Sequence, residues 1–186
     1  MPKEEVDKLH FILVRIAQNG MVAALYFVIT LILMQFPVLS QFGPIQCRIS
    51  EALVLFAFFR PDLTIGITLG CLLVNVTGVA MGLNAVPMDI LIGTACTLVA
   101  CLCEAYLCRH LVFACLYPIA INGVFIGLEL YFILGLTETP LFLTMLYVAI
   151  GEAIAVYIGY ALFMVLIRNK GFMNVLKPTR HQAIRW

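Results

Sequence analysis

The chain has 186 residues, of which 63% are hydrophobic and 11% charged, with a mean hydropathy of +1.08 and a formal net charge of +1. A water-soluble domain of this length cannot hide so much apolar surface, whereas in a bilayer the same surface needs no hiding. Near-neutral charge, with no basic stripe outside the termini, argues against nucleic acid as a partner.

A membrane helix needs about twenty mostly apolar residues. The first such run covers residues 16–36, and an uncharged loop at 37–47 follows it. The second run, 49–59, carries Glu51 and ends at Arg60, Pro61 and Asp62, where proline and two charges force a turn. At about 1.5 Å per residue it reaches only about half-way across a bilayer, so it is expected to be short, broken or shielded by loop 37–47. The third run is 63–82 and the fourth 88–108, entered through Pro87 and Asp89. The fifth is 111–134 and the sixth 141–167, entered through Pro140. The expected fold class is therefore all-α. It is a polytopic bundle of six transmembrane helices, forming one integral membrane domain over 1–186 with an extracellular loop at 37–47.

Charge placement orients this bundle. Of the eleven Lys and Arg residues, ten fall at one set of ends of the apolar runs, and Arg48 alone lies at the other. Cytoplasmic loops are enriched in basic residues, so both termini are expected in the cytoplasm of a multi-pass protein of the bacterial plasma membrane. Small residues recur at four-residue spacing at Gly66, Gly70, Gly78 and Gly82, with Val74 filling the gap, at Gly151, Ala155 and Gly159, and at Gly20 and Ala24. Such stripes let helices approach closely in lipid. Packing within the chain is the reading for segments three and six, whereas segment one can present its stripe to a partner.

Ionisable residues within membrane segments are costly and point to function. The expected topology puts Arg48 and Glu51 at the outer mouth of segment two, and Asp89 at the outer start of segment four. Glu129 falls in the outer third of segment five, and Glu152 about 16 Å down segment six. Asn75 and Asn122 add amides at similar depth, while Glu104 lies toward the inner side. Structural roles compete with this reading. Arg48 and Glu51 can form a local pair, Ser50 can cap segment two, and Asp89 can sit favourably on a helix dipole. The acidic excess over a single Arg suits a ligand that is cationic or rich in N–H donors. No Gly-rich nucleotide loop, catalytic triad or metal set occurs, and the seven Cys read as small buried hydrophobes. The chain therefore reads as a membrane binding subunit rather than an enzyme, and no cofactor is expected.

The stretch from Phe42 through Gln46, Arg48, Ser50 and Glu51 to Leu53, followed by Phe59, Arg60 and Pro61 and then Gly66, Gly70 and Asn75, resembles the substrate-binding S components of energy-coupling factor transporters. More closely it resembles their queuosine-precursor branch, the QueT family. That resemblance implies a six-helix fold with loop 37–47 closing over an outward-facing pocket. It implies a 7-deazaguanine cargo such as preQ0 or preQ1. It also implies an EcfT-type transmembrane partner and two cytosolic ATPases. The family docks through a small-residue stripe on segment one, matched here by Gly20 and Ala24, with Asn19 and Ala23 beside it.

The chemistry agrees with that cargo. A deazaguanine edge offers two adjacent N–H donors, which Glu129 or Glu152 can accept in a bidentate pair. Its carbonyl suits Gln46, Arg48, Asn75 or Asn122, and an aminomethyl cation suits Glu51 or Asp89. Phe42, Phe125, Tyr131 and Tyr157 are candidate stacking plates. Two other readings stand beside this one: an S component for another flat or cationic vitamin such as thiamine, and a stand-alone proton-coupled carrier using Glu129 and Glu152.

Overall fold

Among the residues described by the computed structural model (3–34, 48–82 and 87–179) every regular element is helical. Helix α1 runs Lys3–Leu33. It starts well before the apolar run because its first turns hold themselves together. Glu4 and Glu5 face the positive end of the dipole, and Lys8 Nζ donates to Glu4 Oε1 at 2.6 Å. The second segment opens as a 3-10 turn, Ile49–Val54, and continues as α2, Leu55–Phe59. Helix α3 is Thr64–Ala80 and stops at Gly82, whose φ of 69° is a left-handed helix end. Helix α4 is Met88–Leu107.

The fifth apolar run is not one helix. It divides at Cys115 into α5, Leu111–Ala114, and α6, Leu116–Phe132. Pro118 is the reason: it has no N–H to offer the Ala114 carbonyl four residues back, and its ring crowds that oxygen. Helix α7 is Leu141–Leu166, and a short α8, Lys170–Leu176, follows it. The start of α8 is set by Asn169, whose side-chain oxygen accepts from the amides of Gly171 and Phe172 at 2.8 and 3.3 Å.

Five of these helical stretches are long and apolar enough to cross a membrane, and 49–59 is not. The chain is thus a polytopic, all-helical, multi-pass membrane protein. Neighbouring long helices pack in the order α1, α3, α4, α6, α7, and the 49–54 turn closes the arc by contacting both α7 and α1. The short segment is therefore central. Val54, Leu55, Ala57, Phe58 and Phe59 are all buried. Its length is no handicap, because protein rather than lipid surrounds its backbone.

Glycines set the close approaches. A Cβ on Gly66 would lie 2.5 Å from the Asn19 carbonyl oxygen, and one on Gly70 would lie 2.9 Å from that of Ala23. One on Gly159 would meet Ala52 Cβ at 2.6 Å. The same α1–α3 contact caps α3 from outside its own strand of sequence. The Gly66 amide, near the helix start where no intrahelical acceptor exists, donates to Asn19 Oδ1 at 2.7 Å.

Two ends of the bundle are distinct. At one, Arg60 donates to Gln18 Oε1, to the Leu176 carbonyl and to both carboxylate oxygens of Asp62. Beside it, the Thr179 amide donates to the Phe59 carbonyl. An apolar cluster of Phe58, Phe59, Leu63, Leu111, Phe163 and Leu176 fills that end. Toward the other end the interior turns polar.

Candidate functional site

The polar interior is built where the 3-10 turn enters the bundle. A 3-10 turn brings residues three apart onto one face, so Arg48 and Glu51 are presented together. Arg48 is 5% exposed and Glu51 fully buried. Arg48 Nη2 lies 3.7 Å from Asp89 Oδ1, in the first turn of α4. Asn75, on α3, donates at 3.4 Å to the Asp89 carbonyl and at 3.5 Å to Thr94 Oγ1. Gly93 leaves room for this group. A Cβ there would lie 2.8 Å from Asn75 Nδ2, 3.2 Å from Asp89 Oδ1 and 3.6 Å from Arg48 Nη1.

Glu51 is held from two other helices. The Tyr26 hydroxyl, on α1, donates to Glu51 Oε1, and the Thr97 hydroxyl, on α4, donates to the same oxygen at 3.1 Å. Ser50 does not cap the segment. Its hydroxyl instead accepts from Thr30 Oγ1 at 2.8 Å, a second tie from α1. Glu129 on α6 stands within electrostatic reach of Asp89 and Arg48. Glu152 on α7 lies beside Asn122, within electrostatic reach of Glu51 and Arg48.

Several polar atoms here have no partner among the described residues. Glu51 Oε2, Glu152 Oε1, both Glu129 oxygens and both amide atoms of Asn122 are buried without a hydrogen-bond partner among the described residues. A buried unpaired polar group costs about 1–3 kcal/mol, more when charged. The arrangement therefore strongly favours any guest that brings N–H donors into it. Among the described residues acidic side chains outnumber the bases there, an excess that suits a cationic or N–H-rich guest better than an anion.

Of the residues expected from sequence, Arg48, Glu51, Asn75, Asp89, Asn122, Glu129 and Glu152 thus lie on five elements around one polar interior. Gln46 and Phe42 lie outside the described residues. Phe125 and Tyr157 point outward, 54% and 39% exposed, and do not line it. Tyr131 sits edge-on to Phe132, their ring centres 5.1 Å apart. Sequence reasoning missed Tyr26, Thr30 and Thr97. The available signal was the stripe Asn19, Ala23, Tyr26, Thr30, spaced four, three and four along one helix face. It also left aside Glu104, which is fully buried on α4, with neither oxygen paired among the described residues, within electrostatic reach of Glu51 and Glu152.

The expected docking stripe is separate from this site. Gly20 and Ala24 are exposed, and a Cβ on Gly20 would meet nothing within 4 Å. Asn19 and Ala23 face α3 instead.

Comparison with known proteins agrees with this architecture. Residues 16–168 match the family model described as the QueT transporter. The queuosine precursor transporter QueT of Lactococcus lactis subsp. cremoris (strain MG1363) is 30% identical over 152 residues, covering 75% of this chain and 84% of that protein. No solved structure matches the chain. The resemblance read from Gln46 to Leu53 thus holds across most of the sequence, and the chain belongs to the QueT transporter family.

Proposed function

We propose that this protein captures a queuosine precursor, a 7-deazaguanine such as preQ0 or preQ1, from outside the cell as the S component of an energy-coupling factor importer. The observation that carries the cargo assignment is the buried acid-rich interior with unpaired carboxylate oxygens. A guanine-like edge offers two parallel N–H donors, and a carboxylate accepts both. Glu129 and Glu152 are the candidates for that contact, Arg48, Asn75 and Asn122 for the carbonyl, and Glu51 or Asp89 for an aminomethyl cation. Gln46 joins them through the motif it belongs to, and loop 37–47 is the proposed gate.

In this reading both termini are cytoplasmic, which follows from the basic residues at their end of the bundle. The open Gly20 and Ala24 face of α1 docks on an EcfT-type transmembrane subunit, and two cytosolic ATPases drive uptake. Helix α1 suits that role because it lies at the periphery. Only 17% of its apolar window is buried, against 33–50% in the other four long helices.

The test is calorimetric titration of the purified, detergent-solubilised chain with preQ1, with guanine and thiamine as controls. Saturable one-to-one binding of preQ1 alone is expected. Binding of thiamine instead would keep the subunit and discard the cargo. One observation favours a second reading, a proton-coupled carrier acting alone: Glu51, Glu104 and Glu152 form a mutually interacting buried series. Uptake by proteoliposomes that hold this chain only, with no ATP, would select that reading.

A further inference from the structure

Three carboxylates of the polar interior, Glu51, Glu129 and Glu152, differ in how many of their oxygens lack a partner among the described residues. Glu51 Oε1 accepts the hydroxyls of Tyr26 and Thr97, which anchors that oxygen and leaves Oε2 buried and unpartnered. Glu152 likewise has a single such oxygen, Oε1. Glu129 has two. Asp89 stands beside Glu129, but an ionised carboxylate accepts hydrogen bonds and donates none, so it does not answer those oxygens.

The two patterns suit different chemical groups. Parallel N–H donors, such as the ring N–H and 2-amino group of a guanine-like edge, need both oxygens of one carboxylate. Glu129 offers such a pair. An ammonium group instead carries three diverging N–H donors and takes single oxygens from separate residues. Glu51 Oε2 and Glu152 Oε1 are single oxygens, on residues within electrostatic reach of each other.

Arg48 relates the two patterns in space. Its charge reaches Glu51 and Glu152 on one side and Glu129 on the other. The nearest acid to Glu129 is Asp89, whereas Glu152 senses Glu51. The order across the site is therefore Glu129, Arg48, then Glu51 with Glu152. A 7-aminomethyl-7-deazaguanine presents its groups in the same order along one side: two N–H donors, the carbonyl, then the aminomethyl cation.

We propose, resting on the deazaguanine cargo proposed above, that Glu129 reads the two N–H groups of the guanine-like edge, Arg48 the carbonyl, and Glu51 with Glu152 the aminomethyl ammonium. The site then selects the cationic precursor preQ1 over the nitrile preQ0. The nitrile has no N–H to give and turns a lone pair toward the Glu51 oxygen.

The experiment is calorimetric titration of the full chain in detergent with preQ1, with preQ0 and with preQ1 lacking its 2-amino group. Wild type should bind preQ1 about thirtyfold more tightly than either of the others. Glu51→Gln should cut the preference for preQ1 over preQ0 by about fivefold or more, and leave the effect of the 2-amino group within about twofold of wild type. Glu129→Gln should do the reverse, because its amide turns a donor toward one of the guest's N–H groups. Each ratio is taken within one variant, so a misfolded fraction lowers the stoichiometry and not the ratio. Equal loss of both ratios in both variants, or an undiminished 2-amino effect in Glu129→Gln, would overturn the assignment and leave the cargo in place. So would equal affinity of wild type for preQ0 and preQ1. Absence of binding to all three by wild type would remove the cargo reading, and the assignment with it.

Discussion

Arg48 is the one base among the buried acids at the polar interior, and its 3.7 Å approach to Asp89 organises the group around Gly93. Arg48→Ala removes a charged hydrogen-bond donor and the cation beside Asp89, so preQ1 affinity should fall about tenfold to a hundredfold by calorimetry. Glu104→Gln should bind normally: the side chain is isosteric, sits deeper on α4, and forms no hydrogen bond among the described residues whose loss would be felt. Equal losses from both variants would point to general damage and sink the site assignment. The ionisable members of this site were legible in the sequence because a Glu or Asn inside an apolar run stands out against a cost of several kcal/mol. Tyr26 and Thr97 were not. Both residue types are ordinary in membrane helices, and only the fold reveals that their hydroxyls meet at Glu51 Oε1.

Glycine placement decides which helix faces meet. On α3, Gly66 leaves 2.5 Å between its would-be Cβ and the α1 backbone, so even a methyl group must push the helices apart. Gly66→Leu is expected to destabilise the protein by about 3 kcal/mol or more, read as a lowered thermal midpoint in detergent. On α1, Gly20→Leu meets open space and should leave both the thermal midpoint and ligand binding unchanged. It should nevertheless abolish ATP-driven uptake in the presence of the T subunit and ATPases. Unchanged uptake would rule out this face as the docking surface. The sequence showed both stripes and read that of segment three as packing within the chain and that of segment one as open to a partner, but spacing alone does not say which neighbour a helix face meets. Hydropathy marked the apolar runs but not the start of α1 at Lys3, and it missed the break at Cys115 and helix α8, which depend on Pro118 and on the Asn169 cap.

For the whole molecule, the bases of the described residues gather at the end marked by Arg60, while Arg48 sits alone in the polar interior. If that end is cytoplasmic, a cysteine in place of Lys170 should react with an impermeant maleimide only from the inside of intact vesicles. One in place of Glu138 should react only from the outside. The reverse pattern would invert the topology and, with it, the direction from which substrate enters. The centrality of segment 49–59 bears on the same question. It fills the middle of the bundle, carries Arg48 and Glu51 at one end and reaches Arg60 at the other. It thus links the polar site to the basic face that α1 and α8 enclose.

Membrane residence, the positions of the apolar runs and the end of them at which bases collect are properties of the chain read in one dimension, and the sequence alone determined them. Hydropathy and charge act residue by residue on a solvent that is uniform along each helix. The tertiary structure decided which face of each helix turns inward. In lipid the inward and outward faces are both apolar, so no polar–apolar contrast marks them, and close packing of small residues selects instead. That selection turned Asn19, Ala23, Tyr26 and Thr30 inward, left Gly20 and Ala24 outside, and set Glu51 at the centre of the fold.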